Sequence, residues 1–440
     1  MRCIGEGRLF GSGRRGPPRS YIALLVLLLP ACSEDLSPDP VQPEPEVDLA
    51  ALFAPPTDAE IAAVRAEWAA RDTEPVDMVL EGSEDFMLGS VPATVRILSH
   101  AIPGGRHYGA VVTAEGAAAG SLPVVVYAHG GDQGVSMSEL ALVAFALGDV
   151  SAGFAWVVPS FRSETLRTAE STWQSAGQAS PWDLDVDDAM ALLGAALGEA
   201  PETDADRVGV LGFSRGAGVG LLMGIRDARV DRVVEFFGPT DFFGPYIRTV
   251  VEEALDGSLR NLPGLPALND RFIQPYAAGS LTVAEARTEL VRRSAVLFAA
   301  DLPELQIHHG TLDEVVEVSQ AERLIEVLEA MGRGPPDDGY FVYPGGNHDP
   351  LTLPGSVERA RAFLEALLAA PPVAAAPADP PPADSLPAGS PAADSPRAGS
   401  PPGRVRDRRR TVNRRSPCAR PERARIRAAR VGRCVRRDRA

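Results

Sequence analysis

The chain has 440 residues, 45% of them hydrophobic and 23% charged, with a formal net charge of −16. That apolar fraction can bury a sizeable core, and the acidic balance excludes the phosphate neutralisation on which nucleic-acid binding depends. All 43 basic residues are arginine, and 16 of them fall within 403–440, so the rest of the chain is more acidic still.

Residues 2–19 hold five arginines, then the apolar run YIALLVLLL leads to LPAC at Cys32. This is the pattern of a signal peptide, too short for a spanning helix. Its end resembles the lipobox of bacterial lipoproteins: Leu29 and Ala31 fit, and Pro30 departs from the pattern. The resemblance implies acylation of Cys32, a membrane anchor and an exported domain in the cell envelope, each buried CH₂ of the lipid adding about 0.8 kcal/mol. Cys3, Cys32, Cys418 and Cys434 all lie outside the segment that reads as folded, so the core has no cysteine for a disulfide or a metal.

From Ser33 to Asp48 the text is acidic and Pro-rich, an extended tether. A helix is expected next in TDAEIAAVRAEWAARD, where Thr57 and Glu60 make a capping box and Ile61, Val64 and Trp68 recur at helical spacing. Between Val76 and Ala128 the pattern is β, ending in LPVVVYA, a run apolar enough to be buried on both faces. Helices near 138–147, 186–197, directly after Ser214, and near 320–331 and 357–368 then alternate with the strands FAWVVPS, RVGVLGFS, VDRVVEFFG, PELQIHHG and GYFVYPG. Such alternation predicts an α/β fold of the α/β-hydrolase kind, a mostly parallel sheet with helices on both faces. Residues 240–302 interrupt it after the strand ending near Phe237, as a helical, lid-like insertion. The folded domain is expected over 49–370, followed by a Pro/Ala/Ser linker over 371–402 and the Arg-rich tail over 403–440. That tail could bind anionic lipid, or reflect frame-shifted GC-rich coding sequence.

GFSRGAG, residues 212–218, fits the G-x-S-x-G nucleophile elbow, yet 42 glycines in 440 residues produce the pattern by chance about 0.25 times. Context raises its value: a buried strand precedes Ser214 and a helix-compatible stretch follows. A serine nucleophile needs a base, and the base needs an orienting acid, in the chain order Ser, acid, His. His308, His309 and His348 follow Ser214. His348 lies in the Gly-rich loop after the last predicted strand and is the expected base, whereas His308 and His309 sit in a strand end. Asp313, in the loop of HHGTLDEVV, is the expected acid, with Glu314 and Asp241 as rivals and Asp349 as a turn residue. The backbone N–H groups of Arg215 and of Gly131, in the HGGDQG loop with Gly130 as alternative, are the expected oxyanion donors. His129 reads as a structural loop histidine. No metal or cofactor is expected.

VVVYAHGG, VVPSFRSE, WDLDVDDAMALL, RVGVLGFSRGAG, IHHGTLDEVVEVSQAERLIEVL and YPGGNHD together resemble the catalytic domain of the prolyl oligopeptidase family and its α/β-hydrolase relatives, over roughly 91–370. The resemblance implies the same triad of Ser214, Asp313 and His348. It departs at Asp132, where the loop often has proline, and at His129, where some members carry a tyrosine. No stretch is long enough for the family's N-terminal propeller, and no Glu-Glu pair for a peptide amine is identifiable. The expected function is therefore a serine hydrolase of small esters or short peptides, with ester hydrolysis favoured, and the alternative is a binding lipoprotein on a hydrolase scaffold.

Overall fold

The computed structural model describes residues 47–369. The leader, Cys32, all but the last two residues of the tether, the 371–402 linker and the Arg-rich tail lie outside the described residues.

The first long helix, α1 (Asp58–Ala69), begins at the expected capping box: Thr57 N–H donates to Glu60 Oε2 at 2.8 Å and Glu60 N–H to Thr57 Oγ1 at 3.3 Å. Its buried Val64 and Trp68 dock it on the domain, the Trp68 ring lying 4.6 Å from that of Phe298. Three antiparallel strands follow, β1 (Val76–Leu88), β2 (Val91–Ile102) and β3 (Gly105–Ala114). Then come β4 (Leu122–Ala128), α2 (Met137–Leu147), β5 (Ala155–Pro159), α3 (Leu184–Glu199), β6 (Thr203–Phe213), α4 (Arg215–Arg226) and β7 (Val230–Phe236). The insertion contributes α5 (Pro245–Leu255) and α6 (Val283–Arg293) with shorter turns between them. The chain returns through β8 (Glu304–Gly310), α7 (Ser319–Ala330), β9 (Gly339–Tyr343) and α8 (Ser356–Glu365).

The nine strands form one sheet in the order β1-β2-β3-β5-β4-β6-β7-β8-β9, parallel from β5 to β9. Side chains of β4 alternate between two cores: Val124, Val126 and Ala128 face α1, α3, α4, α7 and the insertion, while Val125 and Tyr127 face α2 and α8. Helices thus cover both faces, and this is the α/β-hydrolase fold that the alternation predicts. The register aligns Ala128 with Gly212, Phe213 with Phe236, Phe236 with His308, and His308 with Phe341. The loops after β4, β6, β7, β8 and β9 therefore leave one edge of the sheet, where α/β folds place their sites.

Two features differ from the sequence reading. β1 is a 13-residue edge strand that the reading did not separate, because Val76, Met78, Val79 and Leu80 face outward and show no burial alternation. The insertion is built into the core: Phe242, Tyr246, Val250, Phe272 and Leu290 are buried in the same cluster as β4 and α4.

Candidate active site

β6 ends at Phe213 and α4 begins at Arg215, leaving Ser214 alone in the turn with φ 54° and ψ −119°. A non-glycine residue with positive φ costs of order 1–3 kcal/mol, and strain of this kind persists only where the surroundings impose it. Here they do: Ser214 N–H donates to Phe236 O at 2.9 Å and Ser214 O accepts from Ala217 N–H at 3.0 Å. Glycine at 216 is needed for close approach. A Cβ there would lie 2.0 Å from Ala128 O and 2.3 Å from its carbonyl carbon, both backbone atoms of β4. Gly216→Ala should therefore destabilise the fold by about 3 kcal/mol, read as a lowered urea midpoint; an unchanged midpoint would mean that the elbow does not pack on β4 as described.

The structure brings Asp313 and His348 together, with His348 Nδ1 donating to Asp313 Oδ2 at 2.7 Å. The other carboxylate oxygen, Oδ1, accepts from Val315 and Val316 N–H, each at 2.9 Å. Burial works to raise this carboxyl, but the His348 hydrogen bond and the two N–H groups outweigh it and hold it below the usual carboxylate range. The His348 ring packs on Phe237, which follows β7, with centroids 4.2 Å apart. Among the described residues no hydrogen bond joins Ser214 Oγ to His348 or to any other group.

The rival residues have other work. His308 is buried between Tyr343 Oη and Gln306 Oε1, each at 2.8 Å. His309 Nε2 binds Val316 O at 2.8 Å. Asp241 caps the start of the insertion by accepting from Phe243 N–H at 2.9 Å, and Asp349 accepts from Leu351 N–H at 2.9 Å. Glu314 is exposed and points its chain into an open groove of ≈ 520 Å³ that His348 also lines.

Arg215 and Gly131 have backbone N–H groups that donate to no protein acceptor among the described residues. Gly131 has φ +77°, and its neighbour Gly130 packs so closely that a Cβ there would sit 3.3 Å from Ser214 Cβ. Ser214 also lines a narrow cavity of ≈ 50 Å³ roofed by the insertion. Its walls are apolar, among them Trp182, Phe242, Ile247, Val250 and Phe272. Among the described residues no group of three or more His, Cys, Asp or Glu side chains could hold a metal ion.

Beyond the backbone role expected of Arg215, its side chain is 1% exposed and organises the floor of the site. Nε donates to Asp185 Oδ2 at 2.8 Å, Nη1 to Gly131 O at 3.2 Å, and Nη1 also to Glu164. Burial pushes Glu164 up to about 7 and Asp185 up to about 6, against the pull of Arg215. Glu164 and Asp185 stand in SFRSE and WDLDVDD, segments that carry the family resemblance without an expected role. Asp185 is one of four aspartates in WDLDVDD and Glu164 closes the polar SFRSE, so neither stands out in the text.

No family profile and no curated protein matches the chain. Solved structures similar to it include acetyl xylan esterase 1 from Thermoanaerobacterium sp. JW/SL YS485, with 21% identity and a TM-score of 0.48 over 70% of this chain and 93% of that one. An acetyl xylan esterase from Paenibacillus sp. R4 has 19% identity and a TM-score of 0.46 over 72% and 99%. A Mycobacterium tuberculosis puromycin-hydrolyzing peptidase has 19% identity and a TM-score of 0.44 over 66% and 46%. At these identities the likeness is one of fold.

Proposed function

We propose that the chain is a serine hydrolase of acyl substrates, with a carboxylic ester as the preferred one. Ser214 attacks the carbonyl carbon, His348 takes the hydroxyl proton and returns it to the leaving group, and Asp313 holds the imidazole. The N–H groups of Arg215 and Gly131 receive the developing oxyanion, and water then releases the acyl group by the same steps. The observation that carries this reading is the strained Ser214 turn at the wall of an apolar cavity.

The cavity sets the acyl size. A cavity needs roughly 10–15 Å³ to hold one water, so ≈ 50 Å³ suits an acyl chain of about two to four carbons. His348 would protonate the leaving group, and the groove on its side, ≈ 520 Å³ and open to solvent, takes a much larger alcohol. A peptidase reading has one observation in its favour: a groove of ≈ 300 Å³ lined by Asp132, Glu164 and Asp270 adjoins Arg215 and would suit an amine.

The expected result is labelling by a fluorophosphonate, with p-nitrophenyl acetate and butyrate cleaved about tenfold or more faster than the octanoate. Faster cleavage of dipeptide amides than of esters, lost on acetylating the amine, would move the assignment to a peptidase. Folded protein that neither labels nor cleaves either class would sink the hydrolase reading.

A further inference from the structure

The loop that carries Gly131 has no regular structure of its own, so something must aim its N–H. Gly130 C=O and Gly131 N–H belong to one trans peptide and point in opposite directions. His129 Nδ1 donates to Gly130 O at 2.9 Å, which turns that carbonyl toward the imidazole and the Gly131 N–H away from it. The next peptide is held as well, because Arg215 Nη1 donates to Gly131 O at 3.2 Å. Both planes flanking Gly131 are thus fixed by buried side chains.

Glu164 lies between those side chains. Glu164 accepts from Arg215 through one oxygen and places the other 3.4 Å from His129 Nε2. Phe161 lies between them, stacked on the His129 ring at 4.5 Å and under the Arg215 guanidinium at 5.3 Å. His129 is 0% exposed, and burial lowers it to about 3, so it stands neutral, with Nδ1–H as the donor to Gly130 O. The chain separations are large, 84 residues from Gly131 to Arg215 and 51 from Glu164 to Arg215, yet the three meet behind one loop.

We propose that His129, Glu164 and the Arg215 side chain are positioning residues that aim the Gly131 N–H at the oxyanion; this rests on the hydrolase reading above. None of the three side chains touches the reacting atoms. They act on the transition state through the peptide planes, so their loss should fall on kcat and not on KM.

The test uses the full chain with p-nitrophenyl acetate and a trifluoromethyl ketone, whose serine adduct carries an oxyanion. His129→Leu removes the donor at similar size and should lower kcat by about 10²-fold, weaken the ketone by a similar factor and leave KM within about twofold. His129→Asn, whose amide can donate from the Nδ1 position, should restore most of both. Arg215→Lys keeps a charge between Asp185 and Glu164 but lacks the fork that reaches Gly131, and serves if His129→Leu does not fold; it should lose about tenfold in kcat and in ketone binding. Wild-type kcat and ketone affinity in a folded variant would overturn the proposal, as would a loss that Asn does not restore and that tracks a falling Tm. Wild-type protein that no fluorophosphonate labels would instead remove the hydrolase reading and this inference with it.

Discussion

Ser214→Ala is expected to lower ester hydrolysis by on the order of 10⁴- to 10⁶-fold and to abolish fluorophosphonate labelling while the fold stays intact. Both halves follow from the elbow. The φ of 54° is imposed by the hydrogen bond from Ser214 N–H to Phe236 O and by the packing of Gly216 on β4, and alanine has the same Cβ and meets the same constraint. Ser214 Oγ makes no hydrogen bond among the described residues, so its removal orphans no buried partner. Stability should change by about 0.5 kcal/mol or less. The measurement is kcat/KM on p-nitrophenyl acetate beside a urea melt. Residual activity within about 10²-fold of wild type would mean that another group attacks the carbonyl.

That the elbow could be read from the sequence has a physical basis. A strand buried on both faces, a turn needing two close backbone approaches and a helix all leave local marks, and Gly212, Ser214 and Gly216 fall where the geometry needs them. The Asp313 to His348 pair was legible for a related reason: each sits in the loop directly after a parallel strand, and the register of β8 with β9 brings those loops together. What stayed hidden depends on distant partners. Nothing near Arg215 in the chain says that its guanidinium reaches Gly131, Glu164 and Asp185, because four separate loops and helix starts meet there. β1 was hidden for the opposite reason. Its first five residues are all exposed and carry no burial period, only Phe86 and Leu88 near its end reach the core, and pairing with β2 defines the strand. The insertion read as a lid because it breaks the strand and helix alternation. In the fold it completes the core, so the ≈ 50 Å³ cavity beside Ser214 has walls that belong to the domain's own packing.

Asp313→Asn is the variant that most sharply tests the base. Asp313 accepts three hydrogen bonds, two from Val315 and Val316 N–H on Oδ1 and one from His348 Nδ1 on Oδ2. An asparagine has one oxygen. If that oxygen keeps the two backbone donors, the amide NH₂ faces His348 and forces Nδ1 to become the acceptor; the proton then sits on Nε2, which can no longer take one from Ser214. If the amide turns over, its NH₂ opposes two backbone N–H groups in a buried pocket, at about 1–3 kcal/mol. The first arrangement is therefore favoured, and kcat should fall by about 10⁴-fold with little change in KM. The charge matters for stability as well. The Asp313 carboxyl is held below its unfolded value, so its stabilising contribution is present above the unfolded carboxylate range, near neutrality included, and is lost as pH falls through the lower folded value. Asp313→Asn should flatten that acid-side loss in a pH series of urea melts. Glu314→Gln and Asp241→Asn provide the contrast, since Glu314 is exposed and Asp241 is committed to Phe243 N–H. Both should keep kcat within about threefold of wild type. A collapse of activity in either, with Asp313→Asn active, would move the orienting acid to that residue and leave the Asp313 to His348 hydrogen bond without a catalytic role.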